Sequence, residues 1–351
     1  MILVTGSGGL IGSSAVEYYC AKGQNVVGID NDSRKSFFGQ EASVLTTLKT
    51  LCSDFSDNFK NHSVDIVDAN KIDRIFAKYN TDIDAVIHAA AQPSHDWASN
   101  DPKLDLNINL IGTSNLLESC RKYAPKAVFV FCSTNKVYGD KPNAFTYSRH
   151  GDRFEPEATE PFFQRGFNET LSIDQCTHSL FGASKLGADI LVQEYGRYFG
   201  MKTGCFRGGC LTGWRHRGAQ LHGFLSFLIK KSLTTKEFSI IGYDGLQVRD
   251  NIDADDVIHA FDNFIKRPES GAVFNLGGGR ENSISVLEAI RLCEEIFSIK
   301  VDIQYKEEHR IGDHQWWISD MSKFINSYPE FSISKSLNDI FVEIGEAAIS
   351  G

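Results

Sequence analysis

A glycine-rich turn follows the first apolar segment of the chain and constrains the fold more than any other feature. Residues 1–4 (Met-Ile-Leu-Val) are predicted to form a buried strand, Gly6, Gly9 and Gly12 recur at every third position, and a helical pattern begins near Ile11. Glycines at this spacing permit a tight turn and let the backbone approach a pyrophosphate. Since the N-terminus of the helix then faces the phosphates, the pattern predicts a dinucleotide-binding βαβ unit.

Strands and helices continue to alternate through the first two thirds of the chain. Further apolar strands are predicted at residues 25–30, 84–91, 127–132 and 203–207, and the longest helices at 107–123 and 181–199. Such alternation implies right-handed crossovers and a parallel sheet that is covered on both faces. The predicted fold class is therefore α/β, a Rossmann-type doubly wound parallel sheet with helices on both faces, plus a smaller C-terminal α/β domain.

A change of pattern near residue 208 marks the expected domain boundary. Residues 208–223 are rich in glycine and short of regular structure. We expect residues 1–205, with 250–275 returning to them, to form the dinucleotide-binding domain, and residues 206–249 and 276–351 to form a substrate domain. Residues 140–176 show little periodicity, and we expect a long surface segment there that serves function.

Composition excludes several classes of protein. The net charge of −9 argues against nucleic-acid binding, which needs a basic surface. The eight cysteines have no paired spacing, so we expect reduced thiols and neither a disulfide framework nor a metal site. No basic-then-apolar leader precedes the first strand and no apolar run reaches ~18 residues, which predicts a soluble, cytoplasmic protein without membrane contact.

The second predicted strand ends at Asp30, eighteen residues after Gly12. A carboxylate there accepts hydrogen bonds from the adenosine ribose and repels a 2′-phosphate, which favours NAD over NADP. Arg34 leaves NADP open, because a guanidinium could bind that phosphate. Asp65 and Ile66 suit the adenine edge. The cofactor-binding candidates in this part of the chain are Gly6, Gly9, Leu10, Ile11, Asp30, Asn31, Ser33, Arg34, Asp65 and Ile66.

Several motifs together resemble the extended short-chain dehydrogenases/reductases, the NAD-dependent epimerase/dehydratase family. They are Thr5-Gly-x-x-Gly-x-x-Gly12, His88-Ala-Ala-Ala91, Asn109-Leu-Ile-Gly-Thr113, Cys132-Ser-Thr-Asn-Lys-Val-Tyr-Gly139 and Lys185. The resemblance covers essentially the whole chain, and the segments 133–139 and 178–185 look most like those of the CDP-paratose (CDP-tyvelose) 2-epimerases. It implies a bound NAD and a nucleotide-diphosphate sugar that is oxidised to a ketone and reduced again on the opposite face. It adds to the cofactor-binding candidates Ala89, Ala90, Ala91, Asn109, Cys132, Ser133 and Lys185.

The family's catalytic residues are a Ser or Thr, a Tyr, and a Lys four positions after that Tyr. Carried over, these are Thr134 and Lys185, while the tyrosine position holds Phe181. On a helix, residues i and i+4 share a face, so the ammonium can lie beside the phenol and lower its pKa until it accepts a proton. This sequence lacks that phenol.

Three interpretations of Phe181 stay open. In the first, another group serves as base; His95, beside Asp96, is the leading candidate because imidazole titrates near neutral pH, although a structural histidine fits the pattern equally well. In the second, the chemistry needs no phenol and Thr134 and Lys185 relay the proton. In the third, the protein is engineered or degenerate and inactive. Weaker candidates for the base, each with a structural alternative, are His178, Tyr138 and Lys136.

Two arginines, Arg249 and Arg310, lie in motifs that the resemblance assigns to the substrate diphosphate. Guanidinium groups bind phosphate oxygens bidentately even in an acidic protein. We also expect Arg207 and the turn 208–213 to place backbone near the nucleotide, although Cys210 replaces an asparagine of many relatives. Asn168 either contacts the sugar or caps a turn. The full set of substrate-binding candidates is Gln92, His95, Thr134, Asn135, Asn168, Gly208, Gly209, His222, Phe224, Arg249 and Arg310.

The resemblance favours an internal redox epimerase among several reactions. Dehydratases of the family usually follow the catalytic Thr with Asp-Glu, whereas Asn135-Lys136 follow Thr134 here. A net dehydrogenase or reductase stays open, as does a protein that binds NAD or a nucleotide sugar without chemistry. The resemblance also implies a homodimer, or a homotetramer, that pairs through the helices at 107–123 and 181–199.

Overall fold

The computed structural model describes residues 1–216, 223–306 and 313–350. Within these ranges the strands are β1 (Ile2–Thr5), β2 (Val26–Ile29), β3 (Phe59–His62), β4 (Ala85–His88), β5 (Val128–Thr134), β6 (Tyr147–His150), β7 (Arg153–Pro156), β8 (Lys202–Gly208), β9 (Cys210–Thr212), β10 (Glu237–Ile241), β11 (Val248–Asp253), β12 (Ala272–Leu276), β13 (Ser283–Ser285), β14 (Asp302–Lys306) and β15 (Trp316–Trp317). The helices are α1 (Leu10–Ala21), α2 (Arg34–Phe38), α3 (Leu45–Asp54), α4 (Ala69–Tyr79), α5 (His95–Asn100), α6 (Pro102–Leu106), α7 (Gly112–Tyr123), α8 (Ser179–Phe199), α9 (Phe224–Thr234), α10 (Ala254–Lys266), α11 (Val286–Phe297), α12 (Ser322–Ser327) and α13 (Leu337–Ser350).

A seven-stranded parallel sheet with the order β12-β8-β5-β4-β1-β2-β3 confirms the predicted Rossmann-type fold. β1 lies between β2 and β4, and its last residue, Thr5, is in register with Ile29 and His88. Because parallel strands end at the same edge, the segments that follow β1, β2 and β4 lie side by side. Strand order reverses between β1 and β4, and in open α/β sheets the ligand binds at such a switch point.

The chain divides into two compact units. The first comprises Met1–Val137, Leu180–Arg207 and Val257–Phe274, and the second comprises Tyr138–Ser179, Gly208–Asp256 and Asn275–Gly351. Residues 138–179 thus lie in the second unit, whereas the predicted boundaries include them in the first. A core of apolar side chains from the sheet, α4, α7 and α8 fills one side of the first unit.

The second unit has its own core and three small sheets. A core of apolar side chains from α9, α11, α13 and β10 fills it. β10 pairs with β14, β6 forms an antiparallel hairpin with β7, and β11 pairs with β9, β13 and β15. The segment predicted as a surface excursion therefore contains a hairpin, and the glycine-rich segment after residue 208 contains β9.

The helix predicted at 107–123 is longer and less regular than its pattern indicates. It begins with α6, changes to π-helical hydrogen bonding over Asn107–Ile111, and continues as α7. π-helical turns are rare and occur often at functional sites. No disulfide joins any of the eight cysteines, all of which are among the described residues. None of the described helices is long and apolar enough to cross a membrane.

Candidate active site

The glycine turn after β1 is packed so tightly that side chains are excluded. Gly6 has φ of 67° and donates its amide to the Ile29 carbonyl at 2.8 Å. A Cβ on Gly6 would lie 2.9 Å from the Ala90 amide nitrogen, and one on Gly12 would overlap the Gly6 carbonyl oxygen. α1 follows Gly9 with no side-chain cap and no acidic residue in its first turn. The amides at its start, which include those of Leu10 and Ile11, therefore fit a pyrophosphate.

The Asp30 carboxylate is held in place by two backbone amides at the end of β2. Gly8 donates to Oδ2 at 2.9 Å and Asp32 donates to Oδ1 at 2.8 Å. Burial raises the pKa of Asp30, while these two hydrogen bonds lower it. Each carboxylate oxygen keeps a lone pair, so the group is oriented and can still accept a ribose hydroxyl. This geometry fits the adenosine half of NAD.

Residues around Asp30 connect β2 to the loop after β3. The Asn31 side-chain nitrogen Nδ2 donates to Asp65 Oδ2 at 3.2 Å, and the Ser33 backbone amide donates to Asn31 Oδ1 at 3.1 Å. The Arg34 guanidinium carbon lies 4.9 Å from the centre of the Phe38 ring, and burial lowers the Arg34 pKa to about 10. It therefore stays charged at neutral pH.

Ile66 is a core residue in the structure. It belongs to the apolar core of the first unit and packs against Gly112, where a Cβ would lie 2.6 Å from the Ile66 Cδ1 atom. Its predicted contact with adenine stays a prediction.

A buried histidine, His88, which the sequence indicates only as part of a family motif, joins the strands at the switch point. His88 Nδ1 lies 2.7 Å from Thr5 Oγ1, and Nε2 lies 2.9 Å from Thr113 Oγ1. Thr113 donates to the Asn109 carbonyl, and the Ala90 amide donates to Thr5 Oγ1. Because the Thr113 proton is already used, His88 Nε2 must donate to Thr113, and in a neutral ring Nδ1 then accepts from Thr5. Burial, with Lys185 nearby, lowers its pKa well below the usual range, so the ring is neutral.

Gln92 and Asn109 hold the loop after β4 against the π-helical turn. The Gln92 backbone amide donates to Asn109 Oδ1 at 3.0 Å, and the Gln92 side chain forms hydrogen bonds with Ser94 and Asp105. Gln92 is 1% exposed and has a structural role in these hydrogen bonds. Its contact with substrate stays a prediction. Asp105 is a further residue that sequence reasoning missed; an acidic residue between Leu104 and Leu106 is its only signal.

Lys185 lies on α8 with its ammonium at the end of β5. Nζ donates to the Cys132 carbonyl at 2.8 Å and lies 4.1 Å from the centre of the Phe131 ring. Lys185 is only 4% exposed, and burial lowers its pKa to about 8. The ammonium is thus held at the carboxyl edge of the sheet.

The other predicted residues of β5 differ in their roles. The Ser133 hydroxyl donates to Asp189, which is also paired with the buried Arg207 guanidinium at 2.8 Å. Ser133 and Arg207 therefore help to form an internal ion-pair network. Thr134 Oγ1 is half-buried and accepts the Lys136 amide at 3.2 Å, while Asn135 is buried.

The structure brings His95 to the tyrosine position. His95 is the first residue of α5, and the Ser94 hydroxyl caps this helix by accepting the Trp97 amide at 3.3 Å. The centre of the His95 ring lies 5.0 Å from that of the Phe181 ring, at an interplanar angle of 62°. Phe181 itself is buried near the start of α8, one helical turn before Lys185. An imidazole therefore lies beside the position where the family has its phenol.

The weaker base candidates have other surroundings. The Tyr138 hydroxyl is buried, donates to Asn275 Oδ1 at 2.8 Å, and its ring stacks on Trp317 in the second unit. His178 lies 3.6 Å from the Cys176 sulfur in the same unit. The core hydroxyl is thus the role that the structure gives to Tyr138.

Two predicted substrate residues of the second unit, Arg249 and Asn168, are engaged with other residues of that unit. The Arg249 side chain is 11% exposed; it pairs with Asp313 at 2.5 Å and donates to the carbonyls of Val248 and His314. Asn168 Oδ1 accepts from the Thr170 amide and hydroxyl, so it caps a turn.

Two glycines and one aromatic residue complete the described candidates. Gly209 donates to the Leu276 carbonyl, and a Cβ there would lie 2.7 Å from Asp250 Oδ1. A Cβ on Gly208 would lie 3.1 Å from the Leu211 side chain, and Phe224 starts α9 against the core of this unit. His222 and Arg310 lie outside the described residues. Among the described residues there is no group of His, Cys, Asp or Glu that could hold a metal ion.

Comparison with known proteins gives consistent results. Residues 2–277 match the model of the NAD dependent epimerase/dehydratase family. The chain is 30% identical over 93% of both chains to CDP-paratose 2-epimerase from Salmonella typhi, and 29% identical over 95% of this chain and 93% of the other to UDP-glucuronate 4-epimerase from Thermodesulfobacterium geofontis. UDP-glucuronic acid 4-epimerase from Bacillus cereus, solved with UDP-glucuronic acid and NAD, superposes with a TM-score of 0.80 at 25% identity over 99% of both chains.

Proposed function

Because the chain belongs to the NAD dependent epimerase/dehydratase family, we propose that it inverts one carbon of a nucleotide-activated sugar through a transient ketone, with His95 as the acid/base. The observation that carries this proposal is the imidazole 5.0 Å from the ring of Phe181. Bound NAD supplies the hydride acceptor and donor. Gly6, Gly9 and the start of α1 would hold its pyrophosphate, and Asp30 its ribose.

The residues of the chain supply the proton transfers. Oxidation of a secondary alcohol removes a proton from oxygen and a hydride from carbon, so a base must lie at the hydroxyl. His95 takes that proton, and Thr134 offers a hydrogen bond to the same oxygen. When the ketone is reduced again, the imidazolium would give the proton back to the same oxygen. The charged Lys185 stabilises the negative charge that develops on the oxygen.

Epimerisation is favoured over dehydration by the residues that follow Thr134. Elimination of water needs an acid and a base beyond the redox pair, whereas Asn135 is a buried amide and Lys136 a cation. Curated relatives include dTDP-glucose 4,6-dehydratases, one of them 31% identical over 80% of this chain and 72% of the other. Neither of the two residues that follow Thr134, Asn135 and Lys136, is a carboxylic acid, so we propose no dehydration step.

The substrate proposal is a nucleotide-diphosphate sugar, with a CDP-linked sugar first because of the similarity to CDP-paratose 2-epimerase. Arg249 is proposed to bind the diphosphate, exchanging its bond to Asp313 for phosphate oxygens. A cytoplasmic location stays a prediction.

A homodimer is also proposed. Apolar side chains that are more than two-fifths exposed lie on α6, α8 and the π-helical turn, the segments through which the resemblance implies pairing; they are Leu106, Ile111, Leu180 and Ile190.

The direct test is the absorbance of the bound cofactor. We expect purified protein that carries NAD to show a transient rise in the reduced-nicotinamide band when its sugar is added, followed by decay as the hydride returns. CDP-, UDP- and dTDP-linked hexoses are the probes. Tight binding of these sugars with no change in absorbance would instead favour a protein that binds without chemistry.

Phe181→Tyr separates a natural active site from a degenerate one. If His95 already serves as base, a restored phenol is redundant, and we expect turnover to change by less than about tenfold, a small part of a general-base effect. Turnover that is absent in the parent and appears only in Phe181→Tyr would show that the parent had lost its base. Phe181→Leu, which removes the ring beside His95, serves as the matched control for packing.

A further inference from the structure

A buried carboxylate connects the segment that carries His95 to the helix that carries Phe181. Asp105, the fourth residue of α6, is 2% exposed. Its Oδ1 atom accepts from Gln92 Nε2 at 2.7 Å and from Asn109 Nδ2 at 3.0 Å. The Asp105 Oδ1 atom therefore accepts hydrogen bonds from two segments, through Gln92 in the loop after β4 and Asn109 in the π-helical turn.

The first connection leads to His95. Gln92 holds the backbone of Ser94 on both sides, because Gln92 Oε1 accepts the Ser94 amide at 2.6 Å and Gln92 Nε2 donates to the Ser94 carbonyl at 2.9 Å. Ser94 in turn caps α5, whose first residue is His95. The direction in which His95 leaves the backbone is thus fixed by Gln92, which is itself fixed by Asp105.

The second connection leads to Phe181. Asn109 Nδ2 also lies 3.1 Å from Ser184 Oγ, and Ser184 donates to the Phe181 carbonyl at 3.0 Å. Asp105 is thus linked to both members of the ring pair by short chains of hydrogen bonds. A carboxylate is costly to bury unless hydrogen bonds stabilise it. Burial raises the pKa of Asp105, whereas the hydrogen bond from Gln92 and the charge of Lys185 lower it.

We infer that Asp105 is a positioning residue, which acts through Gln92 and Ser94 to hold the His95 imidazole against Phe181. The inference rests on the proposed function only for its effect on turnover; its structural part stands without it. Asp105 holds Gln92 and Asn109 by accepting their hydrogen bonds, and its negative charge is not required for this. Asp105→Asn keeps a carbonyl oxygen as acceptor, whereas Asp105→Ala removes it.

The test is a histidine NMR signal in the NAD-bound protein. We expect the His95 ring resonance, identified by its loss in His95→Gln, to be displaced by the ring current of Phe181, whose centre lies 5.0 Å away. We expect Asp105→Ala to abolish this displacement and Asp105→Asn to retain it. Asp262→Ala, which removes another buried carboxylate from the first unit, is the matched control and should leave the signal in place. A His95 resonance that keeps its displacement in Asp105→Ala would overturn the inference.

Turnover is the second measurement. Misplacement of a catalytic group by about 1 Å can cost 100-fold in rate, so we expect Asp105→Ala to lower kcat by roughly tenfold to 100-fold with NAD occupancy retained, and Asp105→Asn to recover most of it. If His95→Ala leaves turnover unchanged while the NMR displacement still depends on Asp105, the proposed function fails and the positioning inference survives. If His95→Ala abolishes turnover but the displacement is indifferent to Asp105, only the inference fails.

Discussion

His95→Ala is expected to lower turnover between about 100-fold and 10,000-fold, the range that general acid/base groups contribute, while the bound NAD stays in place. The reason is that the first unit offers no phenol at position 181, and the imidazole of His95 lies beside that position. The glycine turn and Asp30 do not depend on His95 for their hydrogen bonds. Initial rates with the sugar that reduces the cofactor, together with the NAD content of the purified variant, measure both effects.

His259→Ala is the matched control for this change. His259 also lies edge-on to an aromatic ring in the first unit, 5.4 Å from Tyr18 at an interplanar angle of 63°, so it makes nearly the same ring contact with a different partner. We expect His259→Ala to keep normal turnover. Full activity in His95→Ala would remove His95 from the mechanism and leave Thr134 and Lys185 to relay the proton.

Lys185→Met is expected to abolish measurable turnover and, at the same time, to stabilise the fold at pH 7. Burial lowers the pKa of Lys185 from its ordinary 10.5 to about 8, so the charged form is disfavoured in the folded state by on the order of 3 kcal/mol. A methionine avoids that cost but leaves the Cys132 carbonyl without its donor, which costs about 1–3 kcal/mol. We therefore expect a net gain of about 1 kcal/mol, measured by urea unfolding.

The pH dependence of this gain has a definite sign. Below pH 8 the folded parent carries the buried charge and the full cost is present. Between about pH 8 and 10.5 the unfolded chain binds more protons at this site than the folded chain, so the stability of the parent rises with pH. The advantage of Lys185→Met should shrink across that window, and the turnover of the parent should fall above about pH 8. A variant that is less stable than the parent at pH 7 would contradict this account of Lys185.

The sequence predicted the first unit well because local signals and ligand geometry coincide there. The glycine spacing requires a turn that only glycine can form, as the Cβ positions at Gly6 and Gly12 show. Period-2 and period-3.6 patterns place β1, α1 and β2 within one or two residues. The π-helical turn has no such signal, since its hydrogen-bond pattern depends on how Asn109 is held by Gln92 and Asp105.

The contacts that could not be predicted from the sequence join residues that are far apart in the chain. Nothing local connects His95 with Phe181, and their contact follows from β4 and α8 being placed by the sheet. Asp105 acts through the buried side chains of Gln92 and Asn109 and lies in no motif. His88 does lie in a family motif, but nothing in that motif reveals its contacts with Thr5 and Thr113. In the second unit, the partner of Arg249 is Asp313, sixty-four residues away, which no spacing rule reveals.

The neutral His88 ring also decides how a pH–rate profile of this protein can be interpreted. The chain contains ten histidines, and an inflection near neutral pH would ordinarily be shared among them. His88 is excluded from that set, because burial lowers its pKa well below the usual range and the neutral ring accepts from Thr5 and donates to Thr113. At the carboxyl edge of the sheet, the Lys185 ammonium, whose pKa burial lowers to about 8, would set the alkaline limb of such a profile without any contribution from His88.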